Sequence, residues 1–251
     1  MNTSFSENQN QKNPKLTVII PTFNESNRIT ETLESVREFL ITQSYDHEVI
    51  IVDDGSVDDT VEKIKEYTQE DANFKIITYQ PNKGKGNAVK TGVLNAKGEY
   101  VVYMDADNST KISEVDKLWP HTKDYDVVFG SRHHPEATIH IRQAIHRIIL
   151  SRLSNLLIRV LLLPNIYDTQ CGFKLFKTDV AKKVFSKNRL NRFGFDFEVL
   201  AMSRNMGYKI KEVGVDWYND SDSKVRAGRE ALRTLKDLLR VRFWLWFGGY
   251  N

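Results

Sequence analysis

Short apolar runs alternate with helical patterns along the first half of the chain, and this alternation constrains the fold more than any other feature. Five runs rich in Val, Ile and Tyr predict buried strands, at Leu16–Ile20, Glu48–Val52, Phe74–Tyr79, Glu99–Met104 and Val127–Phe129. The stretches between them have helical spacing, near 27–41, 58–68, 85–96 and 113–122. Such alternation predicts an α/β fold with a mostly parallel sheet that helices cover on both faces.

The second half of the chain predicts a mainly helical region. A long Leu, Ile and Arg pattern over 139–163 ends at Pro164, and the later elements are a short segment at Cys171–Phe176, helices near 178–187 and 196–206, a strand near Lys209–Val215 and a helix from about 226 to 247. No run reaches the roughly 18–20 uncharged apolar residues that cross a bilayer. We therefore expect any membrane contact to be peripheral.

Composition bounds the class of protein. With 40% hydrophobic and 27% charged residues among 251, the chain is long enough to bury a core, which excludes disordered and fibrous classes. The single cysteine, Cys171, excludes a disulfide framework and is typical of a reducing compartment. The polar residues 1–14 contain no signal core, and we expect them to form a disordered tail.

Charge is distributed unevenly. Residues 1–131 contain 22 acidic and 14 basic side chains, whereas residues 132–192 contain 3 acidic and 12 basic ones. This asymmetry indicates two surfaces with different partners, and chance clustering on solvated faces explains it as well.

Carboxylates follow three of the predicted strands. Glu25 comes after the first strand, Asp53 and Asp54 after the second, and Asp105 and Asp107 after the fourth. Ligands of parallel sheets bind beyond the carboxyl ends of the strands. Because clustered carboxylates repel each other unless a cation compensates, the pattern predicts Mg²⁺ or Mn²⁺ at the D-x-D pair, with diphosphate oxygens completing its shell. The alternative for a D-x-D pair, a turn or cap, is weakened by the neighbouring Asp53 and Asp54.

Two common phosphate-binding motifs, G-x-G-x-x-G and G-x-x-x-x-G-K-[ST], are absent from the sequence. Instead, the glycine-relaxed turn Asn82–Asn87 places two lysines before the third predicted helix. Such a turn suits a phosphate or nucleotide at a helix N-terminus, and a solvated turn is the alternative.

Motifs spread along the chain resemble those of a known family. VIIPTFNE, VDDGS, NKGKGNA and DAD, in this order, look like the nucleotide-sugar domain of the inverting family-two glycosyltransferases. GSR at 130–132, DTQCGFKLF at 168–176, RFGFDFEVL at 192–200 and DSKV at 222–225 resemble dolichyl-phosphate β-glucosyltransferases and, more distantly, dolichol-phosphate mannose synthases. The likeness covers about residues 15–242 and implies a GT-A-type, Rossmann-like fold with a C-terminal helical acceptor region.

The sequence departs from the family's pattern in two places. The mannose synthases carry a Gln two residues after D-x-D, where this chain has Ser109, so a third metal ligand is left open. The chain also lacks the membrane-spanning segment common in the eukaryotic glucosyltransferases.

For the donor side, the resemblance implies roles for the residues that match its motifs. Pro21, Phe23 and Glu25 would cradle base and ribose, and Asp53 or Asp54 would accept a hydrogen bond from the base imide. The first region, residues 15–131, would then be a nucleotide-sugar-binding core.

The remaining implied roles concern the phosphates. Lys83 would lie near the nucleotide, Asp105 would contact ribose or metal, and Asp107 would hold the metal against the diphosphate. Arg132 would face a lipid phosphate, which makes residues 132–251 an acceptor-binding region within the same compact domain.

A cation cluster on the acceptor side would bind that phosphate, and Arg132, Arg152, Lys174 and Lys224 are its candidates. Arg152 and Arg159 fall on the apolar stripe of the predicted 139–163 helix, which indicates snorkelling to headgroups, pairing with a phosphate, or pairing with acids of the core. The Leu, Phe, Trp and Arg pattern of Leu235–Phe247 fits an interfacial helix, a docking helix or a self-association face.

Four other candidates have a structural alternative. Cys171 is more typical of a buried structural thiol than of a nucleophile. Asp168 is the candidate general base if one is needed, or a turn residue. Asp196 and Glu198 would lie near the acceptor or cap a helix.

The expected reaction transfers a hexose, glucose from UDP-glucose, to a polyprenyl or dolichyl phosphate with inversion and with metal assistance. Transfer to a sugar hydroxyl of a glycan, a GDP-mannose-dependent transfer, nucleotidyl transfer and non-catalytic nucleotide-sugar or lipid binding are the alternatives. We expect a nucleotide sugar and the lipid phosphate as partners, no nucleic acid, self-association as an open possibility, and a location at the cytoplasmic face of a membrane.

Overall fold

The first half of the chain folds with the predicted strand–helix alternation. A computed structural model describes residues 13–69, 71–140, 155–218 and 227–250. In chain order the first elements are β1 (Leu16–Thr22), α1 (Ile29–Leu40), β2 (His47–Asp53), α2 (Thr60–Gln69), β3 (Phe74–Thr78), α3 (Lys85–Asn95), β4 (Tyr100–Tyr103), α4 (Val115–Leu118) and β5 (Val127–Ser131). The helix predicted at 113–122 is α4 with a 3₁₀ turn on each side, Ile112–Glu114 and Trp119–His121, and Pro120 in the second turn has no N–H to continue a regular ladder.

The second half adds helices and four further strands, two of which join the same sheet. These elements are β6 (Thr138–Ile139), α5 (residues 155–161), β7 (Lys174–Lys177), α6 (Thr178–Lys187), α7 (Phe195–Asn205), β8 (Ile210–Gly214), β9 (Asp216–Trp217) and α8 (Ala227–Trp246). The prediction that a helix begins at 139 is wrong, because Ile139 pairs with Trp217 in a two-stranded sheet. Residues 141–154 of that predicted helix lie outside the described residues.

One seven-stranded sheet organises the molecule, with the strand order β3-β2-β1-β4-β7-β5-β8. All neighbours in it are parallel except β7, which runs antiparallel to both β4 and β5. The mostly parallel α/β fold predicted from the sequence is therefore confirmed.

Two apolar cores cover the faces of the sheet. One contains residues of α3, α5, α6, α7 and α8, and the other contains residues of α1, α2 and α4. In α1, for example, Ile29, Leu33, Val36 and Leu40 fall on one helical stripe and are fully buried. Within the part of the chain that is described, no helix combines the length and apolar content needed to cross a membrane.

Of the predicted N-terminal tail, residues 1–12 lie outside the described residues. Its last residue, Pro14, is already attached to the domain, because its carbonyl accepts a hydrogen bond of 2.9 Å from the backbone N–H of Glu99.

Candidate active site

The carboxyl ends of β1, β2 and β4 meet at one edge of the sheet. Thr22 lies opposite Asp53 in the β1–β2 register, and the N–H of Asp54 donates to the Thr22 carbonyl at 2.8 Å. The N–H of Met104 donates to the carbonyl of Ile19 at 3.0 Å, which extends the β1–β4 pairing to the residue before Asp105. Parallel register thus brings the three loops that follow these strands together.

These loops surround a cavity of about 410 Å³. Its walls come from the loops after β1, β2 and β4, from the start of α3 and from the segment before α7. The lining residues are Pro21, Thr22, Phe23, Glu25, Arg28, Asp54, Asn82, Gly84, Lys85, Ala88, Asp105, Ala106, Asp107, Arg192 and Phe193. Six of the ten predicted catalytic, nucleotide and metal residues are therefore at one cavity.

The two adjacent aspartates after β2 have different surroundings. Asp53 is buried and turns back onto its own loop, where it accepts hydrogen bonds from the N–H groups of Gly55 and Ser56. Asp54 lines the cavity and accepts from the Tyr79 hydroxyl at 2.8 Å and from the N–H of Gly84 at 2.7 Å. Of the two predicted base acceptors, only Asp54 borders the cavity.

The loop after β1 is fixed by the loop after β2. Asn24 has φ 56°, a left-handed conformation that Asn tolerates better than most residues. Its N–H donates to the Ser56 hydroxyl at 2.8 Å, and its side-chain oxygen accepts from Val57 N–H at 2.9 Å. These bonds hold Phe23 and Glu25 at the cavity wall, where the Glu25 carboxylate pairs with Arg28.

Of the two lysines in the glycine-rich turn, the second one faces the site. Lys83 is exposed, and its ammonium lies over the Tyr79 ring at 4.9 Å, away from the cavity lining. Lys85 begins α3, lines the cavity and forms an ion pair with Asp105. Burial opposes the charge of Lys85, but Asp105 and then Asp196 outweigh it and raise the pKa of Lys85. The lysine that the structure places at the cavity is therefore two residues after the predicted Lys83.

Close packing at two glycines explains why a distant segment joins this cavity. A Cβ on Gly84, which has φ 106°, would lie 2.4 Å from the carbonyl oxygen of Asn191, and one on Gly86 would lie 2.7 Å from the carbonyl oxygen of Leu190. The absence of side chains lets the start of α3 contact the 190–195 segment. Arg192 and Phe193 of that segment consequently complete the cavity wall.

Both D-x-D carboxylates line the cavity. Asp107 accepts from the Ser109 N–H at 3.0 Å. Burial, and then the charge of Asp105, raise the pKa of Asp107. A Cβ on Gly172 would overlap the Asp105 carboxylate at 2.3 Å, so that glycine leaves the space in which Asp105 sits.

Hard carboxylate oxygens in mutual repulsion fit a divalent cation such as Mg²⁺ or Mn²⁺. Among the residues described, no group of three His, Cys, Asp or Glu side chains converges at a point, so Asp105 and Asp107 are the protein ligands available to such an ion. Its other positions would be filled by substrate oxygens and water, as Mg²⁺ sites with substrate phosphates commonly are.

Near β5 and β7, Arg132 and Asp168 form an ion pair with each other. Arg132 donates from Nε to Asp168 Oδ2 at 2.6 Å and from Nη2 to Oδ1 at 2.9 Å, and its backbone N–H adds a third bond. Asp168 is fully buried. Burial opposes its charge, but Arg132 outweighs burial and holds the pKa of Asp168 well below its usual range. A carboxylate so placed is a poor proton acceptor, and the general-base prediction for Asp168 is not supported.

Lys174, predicted to bind the acceptor phosphate, lies in the interior. Its ammonium is fully buried and donates to the Cys171 carbonyl at 2.7 Å and to Asp196 Oδ1 at 2.5 Å. Tyr103 donates to the same Asp196 oxygen at 2.7 Å. Because an ammonium without exposed surface cannot touch a ligand, the acceptor role assigned to Lys174 is wrong for this conformation.

Two further predictions can be placed. Cys171 is buried, and burial raises the pKa of its thiol to about 12, which fits the structural alternative. Glu198 is also buried and accepts from the N–H groups of Arg189 and Leu190 and from the Tyr250 hydroxyl. Arg152 and Lys224 lie outside the described residues.

Sequence reasoning assigned no individual role to Lys85, Arg192 or Phe193, which line the cavity. Each belongs to a motif that the sequence made visible, NKGKGNA or RFGFDFEVL. What the motifs did not reveal is the contact between them, which depends on the packing at Gly84 and Gly86.

Comparison with known proteins identifies the family. Residues 17–185 match the family model described as glycosyl transferase family 2. A relative named dolichyl-phosphate beta-glucosyltransferase from Dictyostelium discoideum is 32% identical over 254 residues, which cover 96% of this chain and 78% of that protein. A protein of the same name from Homo sapiens is 32% identical and covers 91% of this chain and 75% of its own length.

Solved structures show the same fold. Glucosyl-3-phosphoglycerate synthase from Mycobacterium tuberculosis, in complex with Mn²⁺, UDP-glucose and phosphoglyceric acid, matches with a TM-score of 0.71 and 16% identity. The match covers 92% of this chain and 80% of the synthase.

Proposed function

This chain belongs to glycosyl transferase family 2, and we propose that it transfers glucose from UDP-glucose to a polyprenyl or dolichyl phosphate with inversion at the anomeric carbon. The observation that carries the proposal is the single cavity in which Asp54, the start of α3 and the D-x-D carboxylates meet. The names of the relatives supply the acceptor class and the sugar, and a structural neighbour crystallised with UDP-glucose supports the nucleotide.

The loops after β1 and β2 would bind the base and ribose. Phe23 offers an aromatic face beside Pro21, Glu25 offers a carboxylate for ribose hydroxyls, and Asp54 offers acceptor oxygens for a base N–H. Asp54 keeps its position through the Tyr79 hydroxyl and the Gly84 N–H. Asp53 would act indirectly, by shaping the loop that carries Asp54.

The diphosphate would lie between the start of α3 and the D-x-D pair. The free N–H groups and the positive dipole end of a helix favour a phosphate, and Lys85 adds a full positive charge there. Asp107 and Asp105 would hold a divalent cation, which stabilises the charge that develops on a departing diphosphate. Ser109 supplies its backbone N–H to Asp107, which fixes the orientation of that carboxylate.

Arg132 would bind the acceptor phosphate. Its guanidinium is partly exposed, is held on one side by Asp168 and lies 5.7 Å from the Trp217 ring. Arg152 and Lys224 remain proposed contributors. A phosphate oxygen of the acceptor would attack the anomeric carbon as UDP departs, and since a phosphate monoester is anionic near neutral pH, with a second pKa of about 6, no strong general base is required.

Mass analysis of the lipid product tests the proposal. The protein is incubated with a short polyprenyl phosphate, Mn²⁺ and, in separate reactions, UDP-glucose, GDP-mannose and other nucleotide sugars. We expect one hexose added to the lipid phosphate with UDP-glucose as donor and UDP as the second product. Product formed only with an oligosaccharide acceptor, or release of inorganic diphosphate, would contradict it.

Arg132→Lys tests the acceptor assignment, because lysine keeps the charge but loses the two-pronged geometry of guanidinium. We expect the KM for the lipid phosphate to rise about tenfold and the KM for UDP-glucose to stay nearly constant, measured by initial rates. Lys15→Arg, an exposed position remote from the cavity, is the control. Equal increases in both KM values would place Arg132 away from the acceptor.

A further inference from the structure

Helix α8 presents an apolar stripe to solvent. Leu235, Leu239, Phe243 and Trp246 have exposed fractions of 41%, 55%, 57% and 73%. At about 100° per residue, these four side chains fall within an arc of about 80° on one side of the helix. Phe247, whose ring lies 4.5 Å from that of Phe243, extends the stripe at its end.

The opposite side of α8 accounts for its attachment to the domain. Leu238 and Val241 are buried in the core that also contains residues of α3 and α7, and Trp244 and Leu245 pack against it. The stripe is therefore a second apolar face of α8, in addition to the face that packs against the core.

Cations border the stripe on both sides. Arg242 lies at one edge, with its guanidinium 4.8 Å from the Trp246 ring, and Lys236 and Arg240 lie at the other. Arg240 pairs with Asp237 at 3.3 Å, whereas Lys236 and Arg242 have no carboxylate partner among the residues that the structure describes. An apolar centre with a basic rim is the arrangement that suits the surface of an anionic bilayer.

One edge of the basic rim also lies near the donor cavity. Arg192 and Phe193 line that cavity and also line a second hollow of about 200 Å³, whose other wall belongs to α8. That wall consists of Arg233, Thr234, Lys236, Asp237 and Arg240. The Lys236 and Arg240 side of α8 is thus separated from the donor cavity only by Arg192 and Phe193.

We propose that α8 docks on an anionic phospholipid surface, with the stripe in the headgroup region and the basic rim on lipid phosphates. The relevance of docking rests on the proposed function, because it brings the donor cavity to an acceptor whose hydrocarbon chain is in the bilayer. The charges argue against a second copy as the occupant. Two copies that met through the stripe would bring Lys236 and Arg242 of each into a largely cationic contact.

Co-sedimentation of the full chain with vesicles tests the docking surface. Vesicles of phosphatidylcholine mixed with phosphatidylglycerol are compared with vesicles of phosphatidylcholine alone, with no sugar donor or polyprenyl phosphate present. We expect the anionic vesicles to bind the protein more tightly, and high salt to weaken that binding. The double substitution Leu239→Ser with Phe243→Ser should weaken it at least about tenfold.

Ile41→Ser is the matched control, since Ile41 is 69% exposed but follows α1 on the other face of the sheet. It should leave binding unchanged, and the melting temperatures of both variants should show that the fold is retained. Trp246 gives a second readout: vesicles should shift tryptophan emission to the blue in the parent protein and less so in Trp246→Phe.

Unchanged vesicle binding in the Leu239 and Phe243 variant would overturn the proposal. So would loss of self-association, measured by light scattering, with vesicle binding intact. Because no sugar donor is present, vesicle binding without transfer in the lipid assay would instead contradict the proposed function alone.

Discussion

The two halves of the sheet edge use carboxylates in opposite ways. At the ends of β1, β2 and β4, Asp105 and Asp107 face a cavity, where Lys85 forms an ion pair with Asp105 and Asp107 has no ion pair among the described residues. Around β5 and β7, each buried aspartate has a cation of its own, Asp168 with Arg132 and Asp196 with Lys174. The first group is short of positive charge, and the second is balanced.

This difference indicates which carboxylates need a bound cation. Repulsion and burial raise the pKa of Asp107, so its charged form is destabilised until a cation arrives. Arg132 does the reverse for Asp168, whose pKa is held low and whose charge is already satisfied. Unbalanced carboxylates mark the proposed reaction site, and balanced ones stabilise the structure around the proposed acceptor side.

Asp107→Asn should have the largest effect, because it removes the charge of the unbalanced pair and keeps the size. We expect the transfer rate to fall about 10²- to 10³-fold, the scale of losing one electrostatic contact to a transition state. The rate at saturating UDP-glucose, measured over a Mn²⁺ titration, checks this. Asp124→Asn, at an exposed position, should behave like the parent protein.

Acidification should mimic that substitution. The pKa of Asp107 is raised, so protons compete with a divalent cation at higher pH than they would for an ordinary aspartate. Near-parental turnover in Asp107→Asn, or an unchanged Mn²⁺ requirement, would remove Asp107 from the site.

Asp168→Asn tests the balanced side, where the expected loss is in stability. Removing one charge of a buried pair typically costs about 3 to 5 kcal/mol, since Arg132 would lose its counter-ion. Urea unfolding should show this cost at neutral pH. It should shrink in acid, because a lowered pKa gives stability that is present above the unfolded value, near 3.8, and is lost as pH falls.

A general-base role for Asp168 predicts a different result. The variant would then unfold like the parent protein, while its turnover fell with the KM for the acceptor unchanged. That outcome would reverse the interpretation of the Arg132–Asp168 pair.

The fold could be predicted from the sequence because it depends on local patterns. The spacing of apolar residues alone predicts which segments are buried. Examples are the strand Val49–Val52 and the helical stripe of Ile29, Leu33, Val36 and Leu40. The convergence of Asp54, Asp105 and Asp107 also follows from a rule, since parallel strands end at one edge. Ile139 was misassigned because its pairing with Trp217 joins residues far apart in the chain.

The environment of the cations could not be predicted. Lys174 alternates with Phe173 and Leu175, as an outward-facing residue of a half-exposed strand does. In the structure, β7 lies between β4 and β5 in a sheet covered on both faces, so neither side of it meets solvent. Lys85 was overlooked for a similar reason, because its partner Asp105 is brought to it only by tertiary packing.

Lys174→Met sharpens the comparison further, because it leaves the buried Asp196 without its cation. We expect a loss of about 3 kcal/mol in the free energy of unfolding and no selective change in the KM for the lipid phosphate. Adding Asp196→Asn should recover part of that loss, since the orphaned charge is then gone. A rise in the acceptor KM with normal stability would restore Lys174 as a phosphate ligand.

Glu198→Gln should have the smallest effect. It tests a carboxylate between the two extremes, which has hydrogen-bond donors but no ion-pair cation within the described ranges. Burial raises the pKa of Glu198, while the N–H groups of Arg189 and Leu190 and the Tyr250 hydroxyl oppose that shift. A carboxyl group with a raised folded-state pKa contributes stability that is fully present below its unfolded value, near 4.5, and is lost as pH rises through the folded value. The parent protein should therefore lose stability over that window, whereas Glu198→Gln, which cannot titrate, should lose less.

We expect the difference between the two to be of the order of one hydrogen bond, about 1 kcal/mol, in urea unfolding followed across pH. Glu66→Gln, at an exposed position of α2, should follow the parent curve. A Glu198→Gln curve parallel to the parent curve at every pH would instead mean that the charge of Glu198 is fully compensated in the folded protein.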